Sequence, residues 1–183
     1  MRAAYIQSVG GASGDMLLGA LLDGGVPVDV IEAAIGALGI SGVVVSAQID
    51  VRCEVRGARA LVDVSAAKRY SPQQMLDIVS HAAGLSEGVR SQAMAVLNAL
   101  FDAEAKVHGH DRAAVHLDEL GTADTLVDVV GVAAGLEYLA VERVYASPLV
   151  LGEATGPRRP RRVQQPGAGH AGDHCRVESA HRT

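Results

Sequence analysis

The sequence predicts an α+β domain, a small mixed sheet with helices packed on one face. Two segments, VVVSAQIDV (Val43–Val51) and GARALVDVS after Gly57, alternate apolar and polar residues with the period of a half-buried strand. Around them lie segments whose apolar residues recur at helical spacing. The resulting order, strand, two helices, two strands, three helices, strand, lacks the regular alternation of a doubly wound sheet. Aromatic content is 3% with no Trp, so Ala, Val, Leu and Ile must build the core.

Ala3–Ser8 reads as the opening strand, followed by the glycine-rich GGASGD (Gly10–Asp15) and a helix through MLLGALLDGG. Pro27 falls where a second helix begins, because its fixed φ suits the first turn and its missing N–H has no helical partner there anyway. Helical spacing continues through Leu38, and the two alternating segments then follow closely enough to pair as a hairpin. Ser71-Pro72 starts a helix before QQMLDIVSHAAG, with Gly84 as its stop. Ser86 caps a longer helix that ends near Gly109. The later part of AVHLDELGTADTLVDVVGVAAGLEYLAV is helical, and VERVYASPLVLG closes the domain as a strand.

The chain has 183 residues and a net charge of −5. Residues 1–155 hold 10 Lys/Arg against 19 Asp/Glu, whereas residues 156–183 hold 6 Arg against 2 acids. An acidic body suits a metal or a cationic ligand better than nucleic acid. The scarcity of aromatic residues also argues against binding single strands by base stacking. Two cysteines, Cys53 and Cys175, form no disulfide framework, which points to a reducing compartment. The apolar run Met16–Leu22 is short and bounded by Asp15 and Asp23, so neither a signal peptide nor a membrane span is expected, and the cytoplasm is the default location.

Two groups of residues could carry chemistry. Gly10, Gly11, Ser13, Gly14 and Asp15 lie between a strand and a helix, where backbone N–H groups can cradle an anion and glycine permits close approach. The same loop also reads as a tight turn, since it has neither the lysine of a P-loop nor a third glycine. The second group, HGHDRAAVHLDELGTADTLVD, gathers His108, His110, His116, Asp118, Glu119, Asp124 and Asp128. Imidazole with carboxylate suits nickel, zinc, manganese or iron. His108 and His110 also fit a plain role at a helix C-terminus, and Asp124 and Asp128, four apart, share one helix face as a site wall or a solvated surface.

Taken together and in order, GGASGDMLLGALLDGGV, EAKVHG, VHLDELGTADTLVDVVGVAAGLEYL and ASPLVLGE resemble the LarC family of nickel-insertion proteins over residues 3–153. The resemblance implies CTP-dependent insertion of nickel into a pyridinium-3,5-bisthiocarboxylic acid mononucleotide, making the nickel-pincer cofactor of lactate racemase-type enzymes. It implies a phosphate-bearing substrate for Gly10–Asp15 and metal staging by His108, His110, His116, Asp118, Glu119 and Asp124, with Asp15 and Glu119 as candidate catalytic groups. CTP with Mg or Mn is implied for a C-terminal half that family members carry. A non-catalytic metal-binding or assembly module, completed by a separately made C-terminal partner, is the alternative; an inactive fragment is another. Oligomeric state stays open, a homo-oligomer included. Family members often carry histidines where this chain reads SAAKRYSPQQ (Ser65–Gln74).

Residues 1–155 are therefore expected to form the domain and residues 156–183 a disordered basic tail. The tail has four clustered arginines among prolines and glycines and little to bury. One codon spelling of Gly156–Asp173 reads VRAAHGVFNNPAPATLAI from its second base, which contains the AHG and PAPAT elements expected of the family there. The tail is accordingly read as the product of a reading-frame change shortly before Gly156, in preference to a polyanion-binding arm.

Overall fold

The computed structural model describes residues 1–8, 11–52, 54–65, 68–112 and 115–148. The element order is the expected one: β1 (Ala3–Ile6), α1 (Gly14–Asp23), α2 (Val28–Gly36), β2 (Val43–Arg52), β3 (Val55–Val64), α3 (Pro72–His81), α4 (Glu87–His108), α5 (Ala123–Tyr138) and β4 (Arg143–Ala146). A 3-10 turn, Asp118–Leu120, leads into α5. The expected tail at 156–183 lies outside the described residues.

Helix boundaries follow local chemistry. At α3, the Ser71 hydroxyl accepts from the Gln74 N–H at 3.3 Å, and Gln74 Oε1 accepts from the Ser71 N–H at 2.9 Å, a reciprocal capping box. At α4, Ser86 Oγ accepts from the Val89 N–H at 3.0 Å and donates to the Glu137 carboxylate at 2.7 Å, tying that helix start to the end of α5. Gly109 ends α4 in the left-handed conformation, where glycine carries no Cβ penalty.

Both parallel and antiparallel pairing occur, divided between two strand pairs among the described residues. β1 lies parallel to β4 in the register Ala3↔Arg143, and β2 pairs with β3 as an antiparallel hairpin in the register Val43↔Val64. The division follows from packing, because α1 lies against β3 and the hairpin satisfies its pairing internally. Alternation sets the hairpin's faces as expected: Val45 and Ala60 are buried under the helices with Val43, Val62 and Val64 beside them, whereas Val44 points to solvent.

Helix α5 is the hub, packed against α1, α2, α4 and β3. Its Leu126, Val127 and Val130 are fully buried with Leu18, Ile31, Leu97 and Phe101. Gly131 and Gly135, one turn apart, let α1 approach closely. A Cβ on Gly131 would sit 2.8 Å from Leu18 Cδ2 and 3.1 Å from Ile31 Cγ2; one on Gly135 would sit 2.9 Å from Leu21 Cδ1. Leu18 and Ile31 have no accessible surface and cannot yield cheaply. Gly131→Val is therefore expected to overpack this seam and lower the unfolding free energy by about 1–3 kcal/mol, seen as a lower urea midpoint at unchanged slope.

Candidate functional site

The glycine-rich loop delivers the chain from β1 into α1, and α1 begins on the flank of α5. Gly14, the first residue of α1, packs directly on the Asp128 side chain, and a Cβ there would overlap the carboxyl group. Asp15 stands in the first turn of α1 and Asp124 in the first turn of α5. Neither helix has a side-chain cap at its N-terminus: Ser13 donates to Asp15 Oδ1, and Thr122 reaches only the Glu119 carbonyl at 3.5 Å. First-turn carboxylates thus take the favourable place at both positive helix ends.

Asp128 bears the electrostatic cost of this arrangement. Its Oδ1 is buried without a hydrogen-bond partner among the described residues. Desolvation, then the neighbouring charges of Asp124 and Asp15, push its carboxyl from the usual 3.8 up to about 7. Asp124 and Asp128 do share one face of α5, as their spacing predicts, but the environments differ: Asp124 is exposed, and Asp128 is half-buried under α1.

The remaining candidates are spread over neighbouring surfaces. His108 is exposed at the last turn of α4, with Nε2 3.3 Å from Glu104 Oε2. His110 is exposed, and its N–H donates to the Ala105 carbonyl at 3.1 Å, folding the chain back over the helix end. Arg112 pins this return through Asp102 at 3.0 Å and through Asn98. His116 and Asp118 line a shallow cleft with Arg69, Tyr70 and Ser71. Glu119 and Asp124 line another with Lys68, Arg69 and Thr122. Among the described residues, no three His, Cys, Asp or Glu side chains are gathered so as to hold a metal ion. The six metal candidates, His108, His110, His116, Asp118, Glu119 and Asp124, are therefore not one preformed shell. Of the loop candidates, Gly10 lies outside the described residues, Gly11 takes φ 100° where only glycine is comfortable, and Ser13, Gly14 and Asp15 stand as above.

Sequence reasoning gave no role to Lys68 and Arg69. They stand in the stretch noted only for lacking histidine, and no periodicity or motif links them to Glu119 and Asp124 some fifty residues on. Asp128 was visible as a carboxylate, but its burial depends on α1 crossing it. No helix among the described residues is long and apolar enough to cross a membrane.

This geometry defines an α+β domain with carboxylates concentrated where two helices begin. Its class is given by comparison: residues 4–157 match the family of nickel insertion proteins, and the chain belongs to that family. A protein of Syntrophobacter fumaroxidans named for nickel insertion is 38% identical over 152 residues, 83% of this chain and 39% of its own length. One from Thermomicrobium roseum, also named for nickel insertion, is 40% identical over 152 residues, 82% of this chain and 37% of its own. The pyridinium-3,5-bisthiocarboxylic acid mononucleotide nickel insertion protein of Nocardioides sp. is 37% identical over 155 residues, 85% of this chain and 39% of its own. The chain thus spans about two-fifths of the length of these relatives. No solved structure matches it.

The raised carboxyl of Asp128 has a consequence for stability. The folded state holds this proton more tightly than the unfolded chain, so the stabilisation is full below about 3.8 and is lost as pH rises through about 7. Asp128→Asn, similar in shape but unable to ionise, should melt at higher temperature than the parent above about pH 7, and the difference should shrink towards pH 4. Thermal melts followed by circular dichroism across that range check the sign.

Proposed function

We propose that this domain handles nickel for insertion into a pyridinium-3,5-bisthiocarboxylic acid mononucleotide, the substrate in the name of the Nocardioides relative. The observation that carries the reading is the charge of Asp15 and Asp124 acting on the partnerless Asp128 at two helix starts, which is not a preformed metal shell, in a chain of the nickel insertion family. Carboxylates are hard donors, and without a complete set of protein ligands they would hold nickel loosely. Loose holding suits a metal that must be handed on, because the sulfur atoms of the acceptor are softer donors and complete its coordination. Exposed His108, His110 and His116 are proposed as outer collecting positions rather than as one shell.

In the nickel-pincer product that the family resemblance implies, nickel is bonded to a ring carbon, so its formation replaces a C–H bond and releases a proton. Asp128, whose Oδ1 is buried without a hydrogen-bond partner among the described residues, joins Asp15 and Glu119 as a candidate base to accept it. The anion cradle expected at Gly10–Asp15 would bring a phosphate beside Asp15 and Asp128, which favours a cation at this end and an anionic group elsewhere. Use of CTP with Mg or Mn is proposed for a C-terminal part of the kind implied for the family.

A second reading, a metal-binding and assembly module completed by a separately made C-terminal partner, is favoured by the dispersal of the candidate ligands, which among the described residues form no complete metal shell. Cofactor formation on co-expression with the polypeptide encoded in the alternative frame after residue 155 would support it.

Calorimetric titration of the protein with nickel tests the first reading. Binding should be weak, and Asp15→Asn with Asp124→Asn should weaken it by about tenfold, because each removes a charged donor. Single changes of His108, His110 or His116 should have smaller effects. Nickel binding unchanged in the double carboxylate variant would overturn the assignment.

A further inference from the structure

A cleft of about 490 Å³ opens between the end of β3 and the start of α5, lined by Val62, Val64, Lys68, Arg69, Glu119, Thr122 and Asp124. Its volume falls in the range of about 300–1,000 Å³ typical of small-molecule sites. Its lining carries two cations, two carboxylates and two valines that belong to the edge of the core. Among the described residues, none of these four charged side chains is engaged in an ion pair or hydrogen bond, so the cations of the cleft are not neutralised by its carboxylates. Oppositely charged groups held apart in this way leave their attraction available to a ligand.

Two observations show that the basic segment is held in place. The Tyr70 N–H donates to the Gly121 carbonyl at 2.7 Å, joining the Lys68–Tyr70 segment to the turn that carries Glu119. Tyr70 is itself buried, 8% exposed, and Lys68 Nζ lies 4.9 Å from the centre of its ring, which orients the ammonium. Gly121 is required for this contact, because a Cβ there would meet the Tyr70 carbonyl at 2.8 Å. The valines are held as well, since Val62 and Val64 belong to β3 and pack against the core.

A ligand matching this lining has a flat or apolar middle, anionic groups for the two cations and a cationic or metal-bearing part for the two carboxylates. We propose that this cleft seats the pyridinium mononucleotide, with Lys68 and Arg69 holding its phosphate or ring carboxyl oxygens, Val62 and Val64 facing the ring, and Glu119 and Asp124 facing the ring's positive charge and the incoming metal. The inference rests on the function proposed above and adds the two residues that would select the substrate. Arg69 presents a planar fork suited to two oxygens of one anionic group, and Lys68 a point charge.

The test uses the whole chain and nicotinate mononucleotide, a pyridinium mononucleotide with one ring carboxylate, titrated calorimetrically at low and moderate salt. The parent should bind it, and Lys68→Ala/Arg69→Ala should weaken binding by about tenfold or more, since charged hydrogen-bond partners are lost. Arg59→Ala, in the separate cleft beside Asp15 and Asp50, should stay within about twofold of the parent, as a cation outside the site. Thermal melts of each variant show that it is folded, and Arg69→Lys provides a second probe that keeps the charge while losing the fork. No binding by the parent, an unchanged affinity in the folded double variant, or inorganic phosphate binding as tightly as the mononucleotide would each overturn the proposal. Nickel titration of the same proteins separates this outcome from the function proposed above. Intact nickel binding with no Lys68/Arg69 effect sinks the substrate cleft alone, whereas mononucleotide binding without nickel binding sinks nickel handling alone.

Discussion

The close approach of α1 to α5 is the constraint on which the structure depends. It exists because Gly131 and Gly135 offer no side chain to Leu18 and Leu21, so that two apolar helices meet nearly backbone to side chain. That contact buries the centre of the domain, with Leu18, Ile31, Leu126 and Val130 having no accessible surface. The same approach carries the start of α1 onto Asp128. Packing and site chemistry therefore share one cause: the seam that stabilises the fold also desolvates the carboxylate.

Asp128 illustrates how a fold can hold an unfavourable group. A carboxylate placed under a helix start gains from the positive end of the helix. It loses more by desolvation and by the proximity of Asp124 and Asp15, and its carboxyl moves up to about 7. Such a group is tolerated when the surrounding packing is strong, and perturbed carboxylates of this kind cluster at functional sites. The partnerless Oδ1 is consistent with a polar atom kept for a ligand or a proton.

Around this centre the charges are sorted by sign. The α1 and α5 starts are acidic, and the segment between β3 and α3 is basic at Lys68 and Arg69. Tyr70 ties the basic segment to the turn before α5 by one backbone hydrogen bond. A metal ion and an anionic acceptor have opposite electrostatic needs, and insertion requires that both be met within one small region. In this chain, acidic and basic residues from both sides of the α3–α4 pair line one cleft.

Much of the architecture was legible in the residues. Helix starts at Ser71 and Ser86 and the stop at Gly109 are local events, decided by side chains reaching backbone groups a few residues away. The hairpin faces follow from alternation, and the order of elements follows from the switch between periods. The division of the strands into two pairs was not legible, because it depends on α1 lying against β3 rather than on any property of the strands. The site was legible in part. Asp15, Glu119 and Asp124 could be named as chemistry-bearing groups, but the histidines near them in sequence diverge in space, since α4 ends and folds back through His110 and Arg112 before the chain reaches His116. Sequence alone determined the family, the elements and the inventory of donors, which are carried by local patterns and by short motifs in order. Tertiary structure alone decided that Asp128 loses its water, and that Lys68 and Arg69 line one cleft with Glu119 and Asp124. Burial and long-range juxtaposition arise from how helices pack, and no local spacing encodes them.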